Sequence, residues 1–170
     1  MMPASVCGDV AGEVVLHVGG PGFDFCAAHS GLHGGVFEPL HGHGYTVRVS
    51  VRGRPAPAGM LADFRRVKAV LRAHISQLNN RTLIATAAPG VAVNVGDDAV
   101  HVRGGGARFS LPRAWVVLMP TPDTSTEGIA AYLLDRLAPD IRDAAPQADA
   151  LRVTVEESGT CGATVELLWS

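Results

Sequence analysis

The chain has 170 residues, with 14 basic against 16 acidic side chains, a net charge of −2 and an isoelectric point near 6.4. That length suits one domain of roughly 100 to 200 residues, and that charge leaves no basic stripe for nucleic acid or an anionic membrane. Three cysteines, Cys7, Cys26 and Cys161, with no Cys-x-x-Cys spacing, exclude a disulfide framework and a thiolate zinc site, and no segment reaches the ~18 apolar residues of a membrane span, so a cytoplasmic protein acting on small molecules is expected.

In chain order, residues 1–12 read as a frayed start. Residues 13–18 and 23–28 are strand material broken by Gly19-Gly20-Pro21-Gly22, with His29 closing the second piece. A Gly-rich stretch over 30–39 holds Glu38 and leads into 45–52, whose alternation of apolar and polar residues predicts a half-buried strand paired with the first in a hairpin. After a Pro-rich turn at 53–59, Phe64, Val67, Leu71, Ile75 and Leu78 recur at helical steps, with Asp63 at the positive end of the helix dipole. Residues 91–95, 99–102, 108–111 and 115–119 read as further hairpin strands, turned by Gly96-Asp97-Asp98 and Gly104-Gly105-Gly106. A second helix opens on the capping-box pattern Thr124-Ser125-Thr126-Glu127, is carried by Ile129, Leu133 and Leu137, and ends at Ala138-Pro139. Strands at 151–155 and 163–169 close the chain around a single core.

The most informative feature is His29 followed by His41 and His43 in Leu40-His41-Gly42-His43-Gly44-Tyr45. His-x-His entering a strand puts two imidazoles on one face of the sheet, and the preceding strand can supply the third. Three neutral imidazoles leave the fourth corner of a tetrahedral Zn²⁺ open, which distinguishes a catalytic zinc from a structural one.

Four stretches, Phe25-Cys26-Ala27-Ala28-His29, Leu40 to Tyr45, Gly59-Met60-Leu61-Ala62-Asp63-Phe64, and Ser125-Thr126-Glu127 with Val155-Glu156-Glu157-Ser158, resemble the 6-pyruvoyl-tetrahydropterin synthase and 6-carboxytetrahydropterin synthase family. The resemblance implies the α+β tunnelling fold: a four-stranded antiparallel sheet with two helices on one face, here with an inserted hairpin region at 85–119, in one domain over 1–170. It implies trimers stacking into hexamers with sites at subunit interfaces, and zinc held by His29, His41 and His43. The implied substrate is a dihydropterin with a triphosphorylated side chain, its ring anchored by Glu157 with further contacts from Ser125 and Thr126. A carboxylate suits adjacent ring N–H donors because it accepts two hydrogen bonds side by side.

The chain departs from the family pattern at the acid–base groups. In the pyruvoyl and carboxy synthases a cysteine just before His-Gly-His acts as base, helped by an Asp-His pair after the first helix. Here residues 36–40 hold no cysteine, and Asn79-Asn80 stands in place of the pair. An amide cannot take up and release a proton near neutral pH. Glu38, in the spacing Glu-x-x-His-Gly-His, resembles the branch in which glutamate replaces that cysteine and 6-hydroxymethyl-dihydropterin is the product. Retro-aldol cleavage needs a hydroxyl proton removed, which a carboxylate beside a Lewis acid can do, whereas abstracting a carbon-bound proton is harder for so weak a base.

Glu38 is thus the candidate catalytic residue, with His33 as an alternative proton donor. Two other readings stay open: a carboxy- or pyruvoyl-tetrahydropterin synthase using Glu38 or His33, and a degenerate protein that binds a pterin or purine without turnover. Cys26, three residues before His29 on a strand, is expected on the opposite face as packed core. For the triphosphate, Arg48, Arg52, Arg54, Arg65, Arg66 and Arg81 are all open, and the insertion is expected either to extend the sheet or to cover the site.

Overall fold

The computed structural model describes residues 12–159 and 161–169, so most of the expected frayed start, and Cys7, lie outside the described residues. In chain order the elements are β1 (Val14–His29), the two-residue strands β2 (Leu32–His33) and β3 (Val36–Phe37), β4 (His41–Gly53), α1 (Phe64–Leu78) and β5 (Arg81–Ala85). There follow β6 (Ala92–Val95), β7 (Ala99–Gly104), β8 (Ala107–Pro112), a 3-10 turn at Arg113–Trp115, β9 (Val116–Met119), α2 (Thr126–Ala144), β10 (Ala148–Glu157) and β11 (Cys161–Leu168).

The main sheet runs β11-β10-β4-β1-β5-β9. Its first four strands are antiparallel, as expected, but β5 and β9 extend it in parallel beyond β1, making six strands in place of four. Residues 81–85 were not expected to be a strand at all, because a five-residue parallel strand carries no alternation to read. Residues 115–119 leave the insertion and join the main sheet as β9. The rest of the insertion forms a separate three-stranded sheet, β6-β7-β8, with its own small core of Ile84, Val100, Val102 and Val116 against Phe37 and Phe109.

The first strand does not break at its glycines. β1 stays paired with β4 throughout, with a register shift between Gly19 and Asp24. A side chain at Gly19 (φ 124°) would drive its Cβ to 2.3 Å from the Val47 carbonyl oxygen, so glycine permits a bulge where any other residue would split the strands. The Asp24 carboxylate pins that bulge, accepting the Gly22 amide at 2.9 Å and the Thr46 hydroxyl at 2.7 Å. The bulge switches the inward row from Leu16 and Val18 before it to Phe23, Phe25, Ala27 and His29 after it. His29 faces inward because of this change of parity.

Helix α1 buries Val67, Leu71, Ile75 and Leu78, and Asp63 is its N-cap, its side chain accepting the Arg65 amide at 2.8 Å. Helix α2 does not stop at Pro139 but runs on to Ala144. Proline forfeits one backbone bond and strains the turn, about 3 kcal/mol. Continuing buries Ile141 and Ala144, an isoleucine alone being worth roughly 1.5–3 kcal/mol, and seats the Arg142 guanidinium over the Trp169 ring at 5.1 Å. The cap of α2 also differs from the expected box: Ser125, not Thr124, is the N-cap and accepts the Gly128 amide at 3.3 Å. Both helices pack on one face of the sheet, α1 against β1 and α2 against β10 and β11, over the valine row Val47, Val49 and Val51.

Candidate metal centre

His29 ends β1, His41 opens β4, and the two are register partners across the hairpin; His43 lies opposite Ala27. Because β4 alternates, His41 and His43 share the inward row that continues as Tyr45 and Val47. The ring centroids are 4.7 Å (29 to 41), 5.3 Å (29 to 43) and 4.8 Å (41 to 43) apart. One ligand atom from each residue lies within 4.8 Å of the others. A tetrahedral zinc with bonds of about 2.0–2.1 Å needs its nitrogens roughly 3.4 Å apart, so metal binding would draw the three rings together.

The hydrogen bonds set which nitrogen is presented. His29 donates Nδ1–H to the Thr124 carbonyl at 3.0 Å, and His41 donates Nδ1–H to the Pro39 carbonyl at 2.7 Å. Each leaves Nε2 as a lone pair, the outer-shell arrangement that orients a metal-binding imidazole. His29 Nε2 is buried and has no hydrogen-bond partner among the described residues, a costly state for a polar atom unless something else occupies that lone pair. Burial first, then the neighbouring charges of His41 and His43, hold the His29 pKa below the ordinary histidine value, so the ring is neutral as a ligand must be. The donor set and the orphaned nitrogen both fit a divalent metal with nitrogen preference.

Of the residues expected at the site, the structure gathers Glu157 with the histidines. Glu157 continues the inward row of Val153 and Val155, pairs with Tyr45 in register, and places Oε1 3.2 Å from His43 Nε2. Ser125 spends its side chain on the helix cap, and Thr126 donates to Glu127 at 3.3 Å. Two residues that sequence reasoning missed matter here. Thr124, only 2% exposed, holds His29 through its carbonyl and has its hydroxyl 3.3 Å from Nδ1. Tyr45, 1% exposed, has a buried hydroxyl without a partner, and burial and then the Glu157 charge push its pKa up, so it stays a protonated donor beside the histidines. Tyr45 is two residues past His43 on one face, a signal that alternation alone could have raised.

Glu38 sits in the loop between His29 and His41, its carboxylate 3.4 Å from His33 Nε2 across the β2–β3 hairpin. Its backbone is fixed on both sides: the amide donates to the Gly31 carbonyl at 3.0 Å, and its carbonyl accepts the Ser30 hydroxyl at 2.6 Å. Glu38, Ser30, Pro39 and Leu40 form one wall of a cleft of about 440 Å³, whose other wall is Ala107, Arg108 and Phe109 of the inserted sheet.

The amides in place of the Asp-His pair have structural work. Asn79 Oδ1 accepts the Cys26 backbone N–H at 2.9 Å, and Asn80, at φ 57°, donates its backbone N–H to the Cys26 carbonyl at 2.7 Å. Removing the side chain in Asn79→Ala should lower stability by about 1 kcal/mol without changing metal content, measured by chemical denaturation and elemental analysis. Cys26 lies on the face away from His29, as expected, but it is exposed and not core, lining an open cleft with Ala28, Gly42 and Trp115. The helices cover the other face of the sheet, so this row has no layer above it among the described residues. Of the arginines considered for the triphosphate, Arg52, Arg65 and Arg66 are paired with Asp149, Asp63 and Asp143, and Arg81 donates to the Ala114 carbonyl.

A family model described as 6-pyruvoyl tetrahydropterin synthase matches residues 21–167. Among curated proteins, the "Putative 6-carboxy-5,6,7,8-tetrahydropterin synthase" of Methanocaldococcus jannaschii is 24% identical over 123 residues, covering 72% of this chain and 76% of its own. Its namesake from Pyrococcus abyssi is 26% identical over 128 residues, covering 75% and 74%. Among solved structures, a Plasmodium vivax 6-pyruvoyltetrahydropterin synthase described as a catalytic residue mutant, a glutamate replaced by alanine, superposes with a TM-score of 0.84 at 27% identity, covering 93% of this chain and 99% of that one. The Plasmodium falciparum 6-pyruvoyl tetrahydropterin synthase has the same fold, with a TM-score of 0.84 at 23% identity over 92% of this chain and 99% of its own.

Proposed function

The chain belongs to the 6-pyruvoyl tetrahydropterin synthase family, and on that footing we propose that it is a zinc-dependent lyase cleaving 7,8-dihydroneopterin triphosphate to 6-hydroxymethyl-7,8-dihydropterin. The observation that carries the choice of product is the commitment of the Asn79 side chain to the backbone of Cys26, with Glu38 as the carboxylate in a cleft walled by the segment that joins His29 to His41. A relative whose name describes a glutamate as a catalytic residue supports a glutamate in this role.

In this reading His29, His41 and His43 hold Zn²⁺, which when bound supplies Lewis acidity that makes a neighbouring side-chain hydroxyl more acidic. Glu157 accepts the ring N–H donors as a side-by-side pair. Glu38 takes the hydroxyl proton from the second side-chain carbon. The bond between the first and second carbons then breaks, the second becomes an aldehyde carrying the triphosphate, and the electron pair passes into the ring imine. Glu38 returns the proton to the first carbon as the electron pair comes back out of the ring, which regenerates the carboxylate and the imine and completes the hydroxymethyl product. Ser125 and Thr126 act near the ring through the start of α2. The same reading has one catalytic unit over residues 1–170, working in the cytoplasm as a homo-oligomer of trimers or hexamers. The open sheet edges at β11 and β9 support association, since an unpaired edge is a template for another strand, and no helix among the described residues is long and apolar enough to cross a membrane.

A second reading, a 6-carboxy- or 6-pyruvoyl-tetrahydropterin synthase, is favoured by the names of the relatives. Product analysis separates the two. Zinc-loaded protein incubated with dihydroneopterin triphosphate should release 6-hydroxymethyl-dihydropterin, identified by mass spectrometry. A carboxy- or pyruvoyl-pterin would establish the second reading, and recovery of unchanged substrate would leave a binding protein without turnover.

A further inference from the structure

We propose that Arg103 and Arg108 of the inserted sheet form an oligophosphate-binding subsite, receiving the triphosphate of a substrate whose reacting end lies at the histidines. The identity of that substrate rests on the function proposed above; the anion site itself rests on the following geometry.

Arg103 on β7 and Arg108 on β8 are direct register partners, both exposed on one face of the sheet. Like charges facing each other across strands destabilise a sheet, and neither guanidinium has an ion pair among the described residues. Several other arginines are neutralised or stacked: Arg152 pairs with Glu166, and Arg72, Arg136 and Arg142 lie over aromatic rings. On the same face, the next register pair is His101 and Ser110, joined Nδ1 to Oγ at 3.0 Å, and Asn94 is the partner of His101 on β6. These side chains line a concave surface of about 640 Å³. Two guanidinium forks beside hydroxyl, amide and imidazole donors suit an anion with several oxygens on linked phosphorus centres, where one carboxylate would satisfy only one fork.

The position connects this surface to the loop that carries Glu38. Arg108 also lines the cleft with Glu38, whose walls include Ser30 next to His29 and Leu40 next to His41. The sheet is fastened to that loop: the Phe37 amide donates to the Gly105 carbonyl at 2.9 Å, and the Phe37 and Phe109 rings meet edge to face at 5.8 Å. A side chain at Gly105 would sit 2.7 Å from the Phe37 ring, so the turn packs closely on the loop that carries Glu38. A substrate with its ring at Glu157 and its side chain at the histidines can thus lead its phosphates along the cleft to Arg108 and over the strand edge to Arg103.

The test uses the full chain and inorganic tripolyphosphate followed by titration calorimetry. Arg103→Gln and Arg108→Gln should each weaken binding about tenfold, the double variant should lose saturable binding, and R108K should recover part of it. Thermal midpoints should not fall, because removing one of two facing charges relieves repulsion; a fall would mark these arginines as structural and overturn the proposal. KM for dihydroneopterin triphosphate should rise about tenfold in each variant while KM for unphosphorylated dihydroneopterin stays constant. Tripolyphosphate binding unchanged in the double variant, or equal rises in both KM values, would overturn it. If wild-type protein binds tripolyphosphate through these arginines yet turns over no dihydropterin, the anion site stands and the proposed function falls.

Discussion

Replacing His29 with alanine should abolish zinc retention while leaving the fold in place. His29 is the most buried of the three imidazoles, and its orphaned Nε2 is held in position by Thr124. Losing only an outer-shell partner costs a metal site roughly 10–100-fold in affinity, so losing the ligand itself costs more than that. Mass action gives a readout independent of turnover: zinc at 100 times its Kd adds about 2.7 kcal/mol to wild-type stability. Addition of zinc should therefore raise the wild-type Tm and leave that of His29→Ala unmoved. The pH dependence has a definite sign. The folded pKa of His29 is depressed below its ordinary value of 6.5, so the unfolded chain takes up the proton first. The metal-free protein should lose stability as the pH falls below about 6.5, and the variant should lose that part of the dependence. Equal zinc content in variant and wild type by elemental analysis would remove His29 from the metal site.

The same histidine shows what a sequence of this kind does and does not display. His-x-His with a third histidine upstream was legible because alternation along a strand is a local rule, and the rule put His41 and His43 on one face without any knowledge of the fold, whereas the choice of Glu157 over Glu156 came from the family resemblance. The inward direction of His29 was less direct, since it depends on a bulge at Gly19 to Asp24 that reads locally as a strand break. Only the long-range pairing of β1 with β4 turns those glycines from an interruption into a change of parity. Pro139 misled for the same reason, because the buried Ile141 and the Arg142–Trp169 contact that carry α2 past it are tertiary. Strand β5 and the Asn79 clamp on Cys26 were invisible because each exists through partners distant in sequence, β1 and β9 for the strand and Cys26, 53 residues away, for Asn79. Thr124 went unread because a buried carbonyl aimed at a ring 95 residues distant has no sequence signature. The family resemblance supplied Ser125 and Thr126, and the structure gives them cap and first-turn geometry.

Substituting glutamine for Glu38 should reduce turnover by roughly 10²–10⁴-fold, the range a positioned acid–base group contributes, with zinc content unchanged. The swap keeps the size and planarity of the side chain but removes its ability to accept a proton. The loop holds its shape through backbone contacts to Ser30 and Gly31, which do not involve the Glu38 carboxylate, so structural collapse is not expected. If Glu38 moves the proton, kcat and kcat/KM should fall together, because the lost interaction is made in the transition state. If it only positions substrate, KM should rise with kcat retained. His33, 3.4 Å from the carboxylate and largely exposed, serves as a probe of the pair. An exposed ion pair is worth little in stability, so His33→Gln should leave Tm unchanged and shift the pH profile of kcat only if the imidazole shares the proton with Glu38. Full activity in Glu38→Gln would transfer the base to another group in the cleft and, with it, remove the reason for preferring bond cleavage over the carboxy or pyruvoyl product.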